Sequence, residues 1–181
     1  MKIYYTTDFS GKSEDSRALL RKAIGRYQTE QGENLSENPD SLMTRIQLGE
    51  KGKPSIPGFD GFSISHSDHC WAVLFSSEEC GLDVQYKRGV KYQKIAARFF
   101  NRDEAVIVRK EGISEFFRIW TRREAYRKAI GDSVVSDGPS VLSDEIRQFD
   151  QPWRMTDVQM PIDIYAAACV REDGPIEIER L

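Results

Sequence analysis

The run Cys80-Gly81-Leu82-Asp83-Val84-Gln85-Tyr86 reads as a β-strand of seven residues, apolar at its even positions and carrying Asp83 and Gln85 together on its other face. Two more strand-like runs precede it, at residues 61–65 and 70–76. The intervening turns are His66-Ser67-Asp68-His69 and Ser77-Glu78-Glu79. That close spacing predicts an antiparallel meander. Immediately afterwards the apolar period changes from two to nearly four. Helices are expected at 91–100, from a cap at Asn101 to residue 110, and at 114–130, the last closing on Gly131.

Working outward toward the N-terminus, residues 1–7 predict a first strand. A helix follows, capped by Ser13 or Asp15, with Ala18, Leu19, Ala23 and Ile24 on its buried face. Residues 28–40, with Gly32, Asn34, Asn38 and Pro39, predict an irregular stretch, and Gly49 to Pro54 a turn cluster. Toward the C-terminus the chain returns to strands, clearest at 162–171 and 176–179. Strands, then helices, then strands again indicate an α+β fold.

Bulk composition narrows the classes. A chain of 181 residues with 39% hydrophobic and 30% charged residues suits a soluble globular protein. No run is long enough for a membrane span or a signal peptide, so a cytoplasmic location without membrane contact is expected. Cys70, Cys80 and Cys169 are an odd set without a disulfide framework and predict reduced thiols. His66, His69, Cys70 and Cys80 lack the paired spacing of a zinc site. The net charge of -3 conceals a basic middle: residues 87–128 hold 13 basic and 5 acidic side chains. Such a segment suits an anionic ligand or partner, and equally a helical surface of solvated arginines.

Several local features have chemistry in reach. Asp83 and Gln85 offer oxygen donors to a hard cation such as Mg²⁺, which takes one or two carboxylates and fills its remaining positions with waters and phosphates. In Trp120-Thr121-Arg122-Arg123-Glu124-Ala125-Tyr126-Arg127-Lys128, the residues Trp120, Glu124 and Lys128 share one helix wall. Taken alone, Glu124 and Lys128 are an ordinary surface pair worth about 0.2–0.5 kcal/mol. Gly52-Lys53-Pro54 puts a cation in a rigid turn, and Ser65-His66-Ser67 offers hydroxyls and an imidazole suited to phosphate. Each has a bland reading as a surface turn or a polar strand face.

Together these blocks resemble the 4'-phosphopantetheinyl transferases, specifically the larger monomeric, pseudo-dimeric class that includes the surfactin-synthetase-activating type. The resemblance rests on Gly52-Lys53-Pro54, Phe62-Ser63-Ile64-Ser65-His66-Ser67, Gly81-Leu82-Asp83, Arg98-Phe99-Phe100 and the Trp120–Lys128 block, in that order. It implies two similar α/β halves, residues 1–78 and 79–181, in a pseudo-two-fold arrangement. Each half would have an antiparallel sheet with helices on one face and the ligand in the cleft between them.

It also implies transfer of the phosphopantetheine arm of coenzyme A to a serine of an acyl or peptidyl carrier protein, with release of 3',5'-ADP. Asp83, Glu124 and Gln85 would hold Mg²⁺, or Mn²⁺ in its place. Glu124 would serve as base and Lys128 would steady phosphate charge. Lys53 and Pro54 would lie beside the adenine, while Arg17, Ser65 and His66 would meet the 3'-phosphate, with Arg123 and Lys128 as further coenzyme A contacts. The basic segment would receive the carrier, with no nucleic acid involved and the protein acting as a monomer.

The sequence departs from the family pattern at Gln85, where many relatives carry a carboxylate, and at Arg123, where lysine is usual. Those departures keep a second reading in view, a non-catalytic module that binds coenzyme A or a carrier protein. A basic-patch protein contacting nucleic acid is a third reading, which leaves Asp83 and Glu124 unexplained.

Overall fold

The computed structural model describes residues 1–32, 37–131, 138–148 and 151–181. Strand β1 (Lys2–Thr6) leads into helix α1 (Ser13–Glu30) and the short helix α2 (Pro39–Thr44). Proline at the first turn and an Asn38 side chain that accepts from the Asp40 amide start α2. This helix lies partly inside the stretch expected to be irregular; residues 33–36 of that stretch fall outside the described residues. Two-residue strands β2 (Gln47–Leu48) and β3 (Pro54–Ser55) pair around a turn in which Gly52 adopts φ +81°, a conformation glycine reaches without steric cost.

Next come β4 (Gly61–Ser67), β5 (Cys70–Ser76) and β6 (Cys80–Tyr86), then helices α3 (Tyr92–Phe99), α4 (Arg102–Glu111) and α5 (Ile113–Ile130). Strands β7 (Glu145–Gln148), β8 (Gln151–Asp157), β9 (Ile164–Val170) and β10 (Glu177–Arg180) complete the chain. Residues 132–137 and 149–150, in the expected strand-rich third, are also outside the described residues.

The strands form two four-stranded sheets in the orders β10-β1-β5-β4 and β6-β9-β8-β7. The expected meander therefore stops after two strands. β4 and β5 pair antiparallel, whereas β6 leaves that sheet and pairs with β9. Pairing is antiparallel throughout except that β10 returns to lie parallel to β1. One plan occurs twice. β1, α1 and the hairpin β4–β5 match β6, α5 and the hairpin β8–β9, the first strand in each case lying antiparallel to the last. Both long helices have 18 residues.

Three buried clusters account for the layers. Leu20, Ala23 and Ile24 of α1 pack on Tyr4, Trp71, Val73 and Phe75 of the first sheet. Ile3, Ala72 and Leu74 on its other face meet Leu82, Val84, Ala166 and Ala168 of the second sheet. The opposite face of the second sheet, with Trp153, Met155, Ala167 and Cys169, is covered by Phe116, Phe117, Ile119 and Ala125. The order is helix, sheet, sheet, helix, so both sheets are buried on both faces. This explains why β5 is buried along its whole length rather than alternating. The three cysteines are free and buried, and burial pushes the Cys70 thiol up to about 11 and Cys80 up to about 12.

Helix α5 lies directly on β6, and Gly81 makes that approach possible. A Cβ at Gly81 would stand 1.9 Å from the Ala125 carbonyl oxygen and 2.5 Å from the Ala129 nitrogen, both backbone atoms. Gly81→Ala is expected to push α5 off β6 and to lower unfolding free energy by about 3 kcal/mol. Urea denaturation of the variant measures this.

Candidate functional site

β6 is an edge strand in hydrogen-bonding terms only on the side away from β9. Its alternate amides on that side meet side chains of β4: Leu82 N–H donates to Ser63 Oγ (2.9 Å), Val84 N–H to Ser65 Oγ (3.1 Å) and Tyr86 N–H to Ser67 Oγ (3.0 Å). The period of two places these three hydroxyls on the face of β4 opposite Phe62 and Ile64. The outward carbonyls of β6 meet lysines. Lys53 Nζ donates to the Cys80 oxygen (2.9 Å) and Lys128 Nζ to the Leu82 oxygen (3.0 Å). Lys53 also reaches the Ala129 carbonyl at 3.4 Å, and its burial lowers the ammonium pKa below the ordinary lysine value.

Asp83 sits in the middle of this seam, 3% exposed. Its Oδ1 accepts from Lys128 Nζ (2.8 Å) and from Ser65 Oγ (2.9 Å), and its Oδ2 from the Gln85 amide (3.1 Å). A buried carboxylate requires such partners.

Lys128 and Glu124 reach the site because α5 runs unbroken to a glycine stop. Gly131, in the left-handed conformation at φ +66°, caps the helix with its N–H on the Arg127 carbonyl. One turn before Lys128, Glu124 pairs with Arg127 (Oε2 to Nε, 3.0 Å). The sequence-adjacent pair Glu124 and Lys128 is thus split between two partners. Trp120 anchors the helix against Phe100 at a ring separation of 6.3 Å and packs on Phe116, one turn earlier in α5, at 5.8 Å.

Next to Lys128 opens a cleft of about 210 Å³ lined by Lys51, Lys53, Pro54, Ser63, Arg127, Lys128 and Gly131 among others. Four cations around one cleft suit a polyanionic ligand. Lys53 reaches it because the Gly49 N–H closes on the Lys53 carbonyl (2.9 Å), fixing the turn that aims the side chain inward.

Residues 79–160 match the family model described as the 4'-phosphopantetheinyl transferase superfamily. Similar proteins include 4'-phosphopantetheinyl transferase gsp of Aneurinibacillus migulanus, 35% identical over 49% of this chain and 39% of its own length. The transferase ffp of Bacillus subtilis is 31% identical over 70% of this chain and 57% of its own. AcpT of Salmonella typhi is 34% identical over 61% of this chain and 65% of its own. By these comparisons the chain is similar to the 4'-phosphopantetheinyl transferases. The chain spans between 39% and 65% of the length of these relatives.

The structure brings Asp83, Gln85, Lys128, Ser65, Lys53 and Pro54 to the seam or its cleft, with Glu124 on the adjoining turn of α5. It does not bring together the three groups expected at a 3'-phosphate. Ser65 and His66 project from opposite faces of β4. The exposed His66 ring lies 5.2 Å from that of Phe9, and Arg17 Nη2 donates to the Met43 carbonyl at 3.0 Å. Arg123 turns away from Asp83 into the α4–α5 contact. Its Nη1 donates to Glu104 Oε2 (2.8 Å) and its guanidinium stands over the Phe100 ring. Glu104 is fully buried and also accepts from the Asn101 and Val141 amides. A planar guanidinium suits that fixed clamp.

The sequence reading did not single out Arg127, Lys51 or Ser63. The spacing of Arg127 three residues after Glu124 was the available signal.

The donor set bears on a divalent ion. Asp83 on β6 and Glu124 on α5 are two carboxylates, the number Mg²⁺ takes from a protein, while Gln85 turns its amide nitrogen toward Asp83 and among the described residues no third acidic, histidine or cysteine side chain joins them. Lys128→Met is expected to cost about 3 kcal/mol by leaving Asp83 short of its cation, and adding Asp83→Asn to that variant should recover most of the loss. Chemical denaturation of the two single variants and the double variant tests this. Additive losses would mean that the pair is not coupled.

Proposed function

We propose that the protein transfers the 4'-phosphopantetheine arm of coenzyme A to a serine hydroxyl of an acyl or peptidyl carrier protein and releases 3',5'-ADP. The observation that carries this reading is the meeting of Asp83, Ser65 and Lys128 across the seam, beside a cleft lined by Lys53 and Arg127. The match of residues 79–160 to the superfamily's model and the names of the similar proteins support it.

In this reading the pyrophosphate of coenzyme A enters the cationic cleft. Lys128 exchanges its contact with Asp83 for phosphate oxygens and steadies the charge that grows there as the phosphorus–oxygen bond to the departing nucleotide breaks. Lys53 and Pro54 flank the adenine. Arg17 and His66, on the α1 side of the first sheet, remain the candidates for the 3'-phosphate. Asp83 and Glu124 would hold Mg²⁺ (or Mn²⁺) with Gln85 beside them, and the ion would supply charge neutralisation of the pyrophosphate. Glu124, in reach of the cleft through its Arg127 pair, takes the proton of the attacking serine directly or through a water. The basic segment 87–128 receives an acidic face of the carrier. The protein works as a cytoplasmic monomer; among the described residues no helix is long and apolar enough to cross a membrane.

The test is mass spectrometry of several carrier proteins after incubation with the protein, coenzyme A and Mg²⁺. The expected result is a carrier heavier by one phosphopantetheine, with Asp83→Ala abolishing the shift. Coenzyme A bound without transfer to any carrier would instead support the non-catalytic module.

A further inference from the structure

Ser65 has one hydroxyl hydrogen and two lone pairs to use. All three are engaged inside the seam. The hydrogen goes to Asp83 Oδ1 (2.9 Å), one lone pair accepts the Val84 amide (3.1 Å) and the other accepts Lys128 Nζ (2.9 Å). The side chain is 5% exposed. A hydroxyl with its full bonding capacity committed has nothing left to offer a phosphate oxygen.

Its neighbours on the ladder differ. The contacts of Ser63 and Ser67 to β6 are to single backbone amides, Leu82 and Tyr86, and neither hydroxyl bonds to Asp83. Ser65 alone of the three ties the first half's strand to a side chain of the acidic site and to its lysine at once.

We propose that Ser65 is a positioning residue for the divalent-ion site, and that it contributes to coenzyme A binding only through Asp83 and Lys128. This rests on the transferase reading of the site. By donating to Oδ1, Ser65 fixes the rotation of the Asp83 carboxylate. By accepting from Nζ, it sets where the Lys128 ammonium waits. Groups that orient a metal-ligating carboxylate in this way typically change metal affinity by about 10- to 100-fold when removed.

The experiment compares Ser65→Ala with Ser67→Ala, which deletes the same kind of hydroxyl-to-amide bond from the same seam without touching Asp83. Three quantities are measured: Mn²⁺ affinity by electron paramagnetic resonance with coenzyme A present, metal-free binding of coenzyme A by calorimetry, and KM and kcat at saturating Mg²⁺. Ser65→Ala is expected to weaken Mn²⁺ binding by about tenfold or more. Metal-free coenzyme A affinity and KM at saturating Mg²⁺ should stay within about twofold. Ser67→Ala, which loses one bond rather than three, should lower the melting temperature less and leave Mn²⁺ affinity unchanged.

Unchanged Mn²⁺ affinity in Ser65→Ala overturns the proposal, as does a tenfold rise in the KM for coenzyme A with metal binding intact. If Ser65→Ala does not fold, Ser65→Cys fills the site with a slightly larger group that is a poor hydrogen-bond donor and must show the same selective loss of Mn²⁺ affinity. The resonance measurement requires no turnover. A wild-type protein inactive on every carrier would therefore refute the transferase reading while still deciding what Ser65 does.

Discussion

A strand whose outer edge finds no strand partner must place its amides and carbonyls elsewhere or lose about 1–3 kcal/mol for each buried group left unmade. β6 is such a strand, and the way its edge is satisfied organises the molecule. Three serine hydroxyls from β4 take its amides and two lysine ammoniums, from the Lys53 turn and from α5, take its carbonyls. These contacts bring groups from residues 53, 63–67, 80–86 and 128 into one place. Asp83 lies in their midst, so the acidic group of the site is held by the same interactions that join the two sheets.

Helix α5 must keep a fixed height and rotation on β6 for this to work. Gly81 lets its backbone come close, and two buried guanidiniums fasten the side of the helix away from the seam. Arg122 grips Asp157 through Nε (2.6 Å) and Nη2 (2.8 Å) and reaches Asp144 at 2.7 Å. Arg123 pairs with Glu104. Removing one partner from a buried pair of this kind is strongly destabilising, so both clamps resist rotation of α5. The consequence for the site is indirect: Lys128 and Glu124 keep their positions because residues one and two places before Glu124 are tied to α4 and to β8.

The periods of two along the strand and nearly four along the helix set which faces Asp83, Glu124 and Lys128 occupy, while only the resemblance picks them out together as candidate site residues. The alternation of strand and helix patterns likewise exposed the α+β class. What periodicity does not carry is sheet membership. The three residues between β5 and β6 look like a hairpin turn, yet they take the chain from one sheet to the other. The two strands are comparably apolar because both are buried on both faces, which hides the switch. The bonds of Ser65 are hidden for the same reason. Ser65-His66-Ser67 offers hydroxyls and an imidazole suited to phosphate, and the sequence does not show that Ser63, Ser65 and Ser67 face a second strand. Only the neighbouring β6 edge reveals what those hydroxyls bond. Arg123, which stands where lysine is usual, is one side of a buried clamp with Glu104, a partner 19 residues away that local spacing does not reveal.

The central claim is that Asp83, held between β4 and α5, is the point where the two sheets share one ionic site. Diffraction from crystals grown with coenzyme A and Mn²⁺ tests it most directly, by anomalous scattering at the manganese edge. The account predicts a single strong peak contacting Asp83 and lying between β6 and α5, with the Lys128 ammonium displaced from Asp83 onto a phosphate oxygen. An anomalous peak remote from Asp83, with the Asp83–Lys128 pair unbroken beside bound coenzyme A, would contradict it.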